Sequence, residues 1–166
     1  MVAIAIIALL TGIITVNLTK SRAKGRDAKR ISDIGLLQLA LELYFDRCNK
    51  YPMPTPLTIS SNTSFTIDPT SSCTTSNGTT VTIKTFIATI PVPPTGGGET
   101  AYQYWVPNDG SSFFANPTDY SLGTNLEGYN EILKDDVDVT DGNFYDSGPN
   151  CTDNTSNVFH YCVGPQ

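Results

Sequence analysis

The sequence has no proline before Pro52 and a single histidine, His160. Without proline, one uninterrupted helix can run through the first 47 residues. The histidine has no serine or cysteine in a nucleophile-elbow motif to activate, which argues against a catalytic triad. The glycines at 96–98 lack the GK[ST] or GxGxxG pattern of a phosphate-binding loop. We therefore expect no enzymatic activity, no catalytic residues and no residues that bind an organic cofactor.

Basic residues are scarce beyond position 30. Six of the ten Lys and Arg residues lie in a segment that we call the basic collar: Lys20, Arg22, Lys24, Arg26, Lys29 and Arg30. From Ile31 onward, four basic residues face fifteen acidic ones, a balance of −11. Nucleic-acid binding requires a distributed Lys and Arg surface, so we expect no nucleic-acid site. The basic collar is placed instead to meet lipid head groups or acidic neighbours.

The first 47 residues change character along one predicted helix. Met1–Val16 carries no charge, the basic collar follows, and Ile31–Arg47 is amphipathic. Such a helix buries its apolar surface either in a membrane or against copies of itself. Met1–Val16 would rise about 24 Å, which is less than the ~30 Å of a hydrocarbon core. The segment lacks the basic start and the small-residue cleavage site of a secretory signal, so we expect it to be retained.

Two apolar stripes run along the amphipathic part of the predicted helix. The first is predicted to cover the sheet of its own domain and consists of Ile31, Ile34, Leu37, Leu41, Tyr44 or Phe45, and Cys48. The second stripe turns away from the first and is a candidate for contact with other subunits. A wide core face in a monomer is the alternative interpretation. With the apolar positions near the start, the second stripe forms a predicted assembly helix: Ile4, Ile6, Ile7, Leu9, Leu10, Ile13, Ile14, Leu36, Leu39 and Leu43.

The cysteine pattern predicts disulfide bonds, because none of the four cysteines has the CxxC spacing of metal ligands. Three pairings are open to Cys48, Cys73, Cys151 and Cys162. We favour Cys48–Cys73 and Cys151–Cys162, since each closes a modest local loop. Free buried thiols in a reducing compartment are the alternative. Sequons of the Asn-x-Ser/Thr type are compatible with export and with attached glycans, and they begin at Asn62, Asn77, Asn150 and Asn154.

The chain after residue 52 is rich in Thr, Ser, Asn, Gly and Pro, which favours β-structure and loops. Ala101–Val106 and Asp119–Glu127 are partly alternating, aromatic-rich runs that predict strands, and Pro107–Gly110 carries a turn signal between them. The predicted fold class is therefore α+β. The predicted segments are 1–30, the apolar helix half with its collar, and 31–166, a globular domain. Within that domain we expect helix at 31–50, a connecting loop at 51–100, sheet at 101–130 and a C-terminal loop region at 131–166.

An acidic segment near the C-terminus is a candidate metal site. Hard cations such as Ca²⁺ take several carboxylate oxygens as ligands. The candidate ligands are Asp135, Asp136, Asp138, Asp141 and Asp146. Their spacing is not that of an EF-hand loop, and a solvated acidic loop without metal is the alternative.

The N-terminal third resembles the type IV pilin and type II secretion pseudopilin superfamily. The resemblance lies in VAIAIIALLTGIITVNLTKSRAKGRDAKRISDIGLLQLALELYFDRCNKYP, with its apolar run, Asn-Leu, basic collar and amphipathic helix ending in Tyr-Pro. Weaker matches are Phe86–Pro94, before a Pro-rich turn, and Tyr120–Glu127, which resembles a central strand of the family's sheet. The family's short basic leader and its glutamate near the mature N-terminus are not in this sequence. By register, Met1 falls several residues inside the mature helix, so we expect the natural chain to begin upstream.

The resemblance implies a pilin-like subunit, in which the long N-terminal helix packs on a small antiparallel sheet, with a disulfide-closed C-terminal loop. It implies a major pilin, held in the inner membrane by a single pass before the pilus assembly machinery polymerises identical subunits into an extracellular filament. Such filaments serve adhesion, motility or DNA uptake. A type II secretion pseudopilin and a membrane-anchored binding module that never polymerises are the alternatives. The positive-inside rule would place the collar in the cytoplasm, but the cysteines and the polar body favour export.

Overall fold

A computed structural model of the chain describes residues 2–56, 66–96, 99–108, 113–137, 151 and 159–165. Along the helix, side chains are described at Ile4, Ile6 and Ile7 and from Leu18 onward. The elements in chain order are α1 Val2–Cys48, β1 Pro54–Thr55, β2 Thr66–Ile67, β3 Ser72–Thr74, β4 Thr80–Thr82, β5 Gln103–Trp105, β6 Ser121–Leu126 and β7 Phe159–Val163. Short 3-10 helices lie at Ile83–Thr85 and Glu131–Lys134. The α+β class is therefore correct.

Helix α1 runs without interruption to Cys48, between the predicted limits of residue 47 for the long helix and residue 50 for the helical segment of the domain. Asn49 follows in the left-handed conformation, with φ of 52°, and its backbone N–H donates to the carbonyl of Phe45 at 2.8 Å. Asparagine tolerates this conformation, which satisfies a carbonyl that the helix end would leave open. Pro52 then prevents any continuation. The helix ends where the local sequence supplies both a cap and a breaker.

The main sheet has three antiparallel strands in the order β5-β6-β7. Tyr104 pairs with Leu122, and Gly123 pairs with Cys162, so β6 lies between its two partners. This confirms the interpretation of Tyr120–Glu127 as containing the central strand. The turn signal at 107–110 does not join β5 to β6 directly, because their connection runs from Val106 to Tyr120 and includes a bridge between Asn108 and Phe113.

The core lies between α1 and the sheet. Ile34, Leu37, Leu41 and Tyr44 are completely buried, whereas Ile31, Phe45 and Cys48 pack at the edge of the same cluster. These are the residues of the first predicted stripe, and their burial confirms that the stripe covers the sheet. Burying a side chain such as Leu37 contributes about 1.5–3 kcal/mol. The side chains that meet them from the body are Val81, Ile83, Tyr102, Tyr104, Val106, Tyr120, Leu122, Leu126 and Tyr161.

Two predicted loop regions contain strands, and the prediction is wrong there. Segment 51–100 holds two antiparallel pairs, β1 with β2 and β3 with β4. Segment 131–166 supplies β7, which completes the main sheet. Strands of two or three residues carry almost no alternation, and the five residues of β7 gain their partners only from β6. Local pattern therefore gave no signal for them.

Both favoured disulfides are present. Cys48 at the end of α1 is bonded to Cys73 on β3, and Cys151 is bonded to Cys162 on β7; both pairs have a Cα–Cα distance of 5.7 Å. The first bond attaches the β3–β4 pair to the helix end, and the second attaches Cys151 to the sheet. Each contributes about 3 kcal/mol by limiting the unfolded chain.

Substitution of Gly123 by alanine tests how tightly the sheet packs on the second disulfide. A Cβ at Gly123 would lie 2.9 Å from Sγ of Cys162, a buried and covalently fixed atom. We expect Gly123→Ala to lower the free energy of unfolding by about 1–3 kcal/mol because of this overlap. Gly128→Ala is the matched control, since a Cβ there meets no atom within 4 Å. Urea denaturation of both variants measures the difference, and equal stability would contradict the packing described.

Candidate assembly face on the N-terminal helix

The second predicted stripe lies on the solvent side of α1. Leu36, Leu39 and Leu43 are 53%, 58% and 43% exposed, although each is a large apolar residue. The opposite side of the same helix turns carries the fully buried Ile34, Leu37 and Leu41. The interpretation of this stripe as part of a wide monomer core is therefore wrong. An apolar stripe left in water on the outside of a folded domain is typical of a contact surface.

The exposed stripe continues toward the N-terminus as small residues. Ser21, Gly25, Ala28, Ser32 and Gly35 are all exposed and follow each other at three- and four-residue steps, so they share one side of the helix. We define these five with Leu36, Leu39 and Leu43 as the outer face. A Cβ built at Gly25 or Gly35 meets no atom within 4 Å. No charged residue belongs to this face. Its small-residue half was not predicted from the sequence, because Ser, Gly and Ala give no strong hydrophobic periodicity.

The apolar beginning of α1 is exposed wherever its side chains are described. Ile4, Ile6 and Ile7 are 70%, 53% and 64% exposed. The other predicted assembly positions there, Leu9, Leu10, Ile13 and Ile14, have side chains outside the described residues. No stretch of helix among the described residues combines the length and the hydropathy that a membrane span requires.

A buried cation holds α1 on the sheet. Arg30 is 0% exposed, and its Nη1 donates to Oδ1 of Asp27 at 2.7 Å and to Oε1 of Glu127 at 2.8 Å. Its Nη2 donates to the backbone carbonyl of Gly96. Asp27 in turn accepts the backbone N–H of Glu127 at 2.9 Å. Because a buried charge without partners is very costly, these bonds fix the position of the end of β6 along the helix.

Arg26 adds a second cation to the same joint. Its guanidinium forms a two-pronged pair with the carboxylate of Glu127, with Nε 2.6 Å from Oε1. Gly96 lies against this side chain at a φ of 123°, and a Cβ there would be 2.7 Å from Nε of Arg26. The chain can therefore cross the helix here only with glycine. We call Arg26, Asp27, Arg30, Glu127 and Gly96 the ionic joint.

The ionic joint determines the charge state of Glu127. The hydrogen bonds and charge of Arg26, together with Arg30, lower the pKa of the Glu127 carboxyl from 4.5 to about 2. Glu99 lies nearby and shows the opposite direction: burial raises the pKa of its carboxyl despite bonds from the Thr124 hydroxyl and the Asn125 backbone N–H. A carboxylate beside arginines is stabilised as the anion, whereas one that is mainly desolvated is not.

Asp33 extends the charged contacts along the helix. It is buried, accepts a bond from Lys29 Nζ at 2.5 Å, and accepts a second from the hydroxyl of Tyr102 at 2.7 Å. Burial, followed by the bond to Asp33, raises the pKa of Tyr102 well above its ordinary value. Tyr102 precedes the edge strand β5, so this contact ties that edge of the sheet to α1. Three members of the basic collar, Arg26, Lys29 and Arg30, are thus paired within the subunit.

A tyrosine cluster closes the C-terminal half of α1. The hydroxyls of Tyr51 and Tyr120 each donate to Glu42 at 3.1 Å, one to each carboxylate oxygen. The rings of Tyr51 and Tyr120 meet edge to face at 4.6 Å. Burial raises the pKa of both tyrosines strongly, with the Glu42 charge adding to the effect. The cluster holds Tyr51, just after the end of α1, against the buried core.

The predicted calcium ligands are only partly described. Asp135 is exposed, and Oδ2 of Asp136 accepts the backbone N–H of Cys162 at 3.2 Å. Asp138, Asp141 and Asp146 lie outside the described residues. Within the described ranges, no group of three acidic, His or Cys side chains is placed to hold a metal ion. The calcium prediction stays a prediction.

The structure also describes His160 and one of the four predicted sequon asparagines, Asn77. His160 lies on β7, opposite Asn125 of β6, and is half-buried in the sheet. Asn77 is exposed in the turn between β3 and β4, whereas Asn62, Asn150 and Asn154 lie outside the described residues.

Comparison with protein-family models, with curated proteins and with solved structures found no match for this chain.

Replacing Glu127 with glutamine tests the ionic joint. The pKa of Glu127 is lowered on folding, so its contribution to stability is complete above the unfolded pKa of 4.5 and is lost as the pH falls toward about 2. We expect Glu127→Gln to cost about 2–3 kcal/mol near neutral pH, as for other hydrogen bonds between charged groups. As the pH falls through that acid range, the free energy of unfolding should also decrease less in the variant than in the wild-type protein.

Glu131→Gln is the control for charge alone. Glu131 is 75% exposed, and the one ion pair it forms within the described ranges is with the exposed Lys134. We therefore expect no measurable change in stability from this substitution. Urea denaturation over a pH series measures both variants. If the Glu127 variant is as stable as the wild type and loses stability equally as the pH falls, the ionic joint does not hold the sheet on α1.

Proposed function

We propose that this protein is a structural subunit of a type IV pilus-like filament, and that α1 is the element through which identical subunits polymerise. The observation that supports the proposal most directly is the outer face, an uncharged strip on α1 that the folded subunit leaves exposed from Ser21 to Leu43. The N-terminal resemblance to the pilin superfamily supports it independently.

The outer face suits contact between helices. Its large half carries Leu36, Leu39 and Leu43, and burial of exposed leucine surface contributes about 25 cal/mol per Å². Its small half, around Gly25 and Gly35, lets another backbone approach closely, since helix axes separate according to the side chains between them. Large side chains at one end and small ones at the other are complementary when neighbouring helices are staggered along the filament.

The internal contacts of the subunit suit the same role. Arg30 and Asp33 bind the sheet to the inner side of α1, and the Cys48–Cys73 bond attaches the β3–β4 pair to its end. The domain is therefore carried on one side of the helix and leaves the other side open.

In the proposed life cycle, the inner membrane holds the apolar N-terminal half before assembly, and the assembly machinery then moves the subunit into an extracellular filament. Adhesion, motility and DNA uptake are all compatible with such a filament.

Loss of the exposed leucines should prevent polymerisation without unfolding the subunit. We expect Leu36→Gln with Leu39→Gln to abolish surface fibres, because polar groups would then be buried between helices. The subunit itself should lose no more than about 0.5 kcal/mol per substitution, as at other exposed positions. Electron microscopy of sheared cell-surface material measures the fibres, and thermal unfolding measures the subunit.

The matched control is Val92→Gln with Phe114→Gln, which removes two apolar residues of similar exposure, 68% and 50%, from elsewhere on the domain. Fibres should persist in this control. Normal fibres in the leucine variant would refute the outer face as the surface through which subunits polymerise. A wild-type protein that remains a monomer after detergent removal would refute the filament itself, in favour of a non-polymerising membrane-anchored module.

The small half of the outer face allows a test in which the stability of the subunit should rise while its assembly is lost. Gly35→Leu removes a glycine from a helix interior and should stabilise the isolated subunit by about 0.5–1 kcal/mol. The same side chain would keep a neighbouring helix at a distance, so we expect fibres to be lost or shortened. Gly35→Ala gains the same helix propensity with a much smaller side chain and should retain fibres. If Gly35→Leu also assembles normally, close helix approach at this position is excluded.

A further inference from the structure

The basic collar, continuous in sequence, is divided in two by the fold. Arg26, Lys29 and Arg30 are paired with carboxylates of the subunit itself. Lys20, Arg22 and Lys24 are exposed and form no ion pair with any residue in the described part of the chain. The positive charge that remains for a partner therefore belongs to these three residues, which we call the free collar.

The free collar forms a ring around α1. Alternate residues on a helix differ by about 200° in direction, so Arg22 lies on the side of the helix opposite to Lys20 and Lys24. The three residues span a rise of only about 6 Å along the axis. A partner lying alongside α1 would meet one side of this ring. A charged layer crossed by the helix would meet all of it.

The height and the neighbours of the ring match the head-group layer of a membrane. A bilayer of ~40–45 Å with a ~30 Å hydrocarbon core has polar layers of about 5–7 Å on each side. On the N-terminal side of the ring lies Leu18, exposed to 49%, and beyond it the exposed Ile4, Ile6 and Ile7. On the C-terminal side lies the ionic joint that begins at Arg26. Apolar, cationic and folded segments thus follow each other along one axis.

We propose that Lys20, Arg22 and Lys24 bind the phosphates of anionic phospholipid head groups and so set the depth of α1 in the membrane surface. This inference rests on the proposed function only in assuming that the subunit is held at a membrane before assembly. Lys and Arg near an anionic surface each strengthen binding about fivefold, so the ring should add on the order of 100-fold. The acidic surface of another copy is the competing partner, and it would use one side of the ring.

The test compares the partition of full-length protein, delivered from detergent, onto two kinds of vesicle. One is pure phosphatidylcholine, and the other is an equimolar mixture with anionic phosphatidylglycerol. We expect partition onto the anionic vesicles to be on the order of 100-fold stronger, and to weaken as salt screens the charges. The variant Lys20→Gln, Arg22→Gln, Lys24→Gln should bind both vesicles equally, with its fold unchanged because these side chains are exposed.

The control Arg47→Gln, Lys50→Gln, Lys84→Gln removes the same number of cations from the globular domain and should keep the anionic preference. Equal partition of the wild-type protein, or the same loss in both variants, would overturn the inference. So would a free-collar variant that keeps its lipid preference and loses only its fibres, because this result assigns the ring to a neighbouring subunit. A wild-type protein that prefers anionic vesicles but forms no fibres would instead refute the filament proposal alone.

Discussion

Burial of the Arg30 guanidinium is the constraint on which the rest of the subunit depends. A cation with no exposure to solvent must be surrounded by acceptors, and here Asp27 comes from the same helix whereas Glu127 and Gly96 come from the body. Those bonds place the end of β6 on one side of α1 at one height. The apolar contacts of Leu37 and Leu41 add stability, but they tolerate sliding more readily than a charged pair does.

One helix therefore carries two different surfaces. Its inner side packs against the core and forms the ionic joint. Its outer face, from Ser21 to Leu43, consists of uncharged residues that are all exposed. The proposed filament and the proposed lipid contact use different parts of what remains: the outer face for neighbouring helices and the free collar for head groups. A subunit could pass from one environment to the other without refolding.

Much of the fold could be predicted from the sequence because its signals are local. The absence of proline and the three- and four-residue apolar steps predict α1 and its buried stripe, and the short cysteine separations favour the observed disulfides. β7 could not be predicted, since its five residues become a strand only beside β6. The ionic joint was missed for a similar reason: Arg30 continues the buried steps of Ile34 and Leu37, but its partner Glu127 is 97 residues away.

The sequence by itself determined that one long helix exists, that it has two apolar stripes and that its charge is concentrated in a collar. Only the tertiary structure decided which stripe stays exposed and which collar residues keep an unpaired charge. The reason is that helical periodicity depends on neighbours within two turns of the chain. Burial and long-range ion pairing instead depend on strands that reach the helix from distant parts of the sequence. Glu127, after β6, pairs with Arg26 and Arg30, and Tyr102, before β5, donates to Asp33, the helix's own partner for Lys29. Lys20, Arg22 and Lys24 stay in solvent.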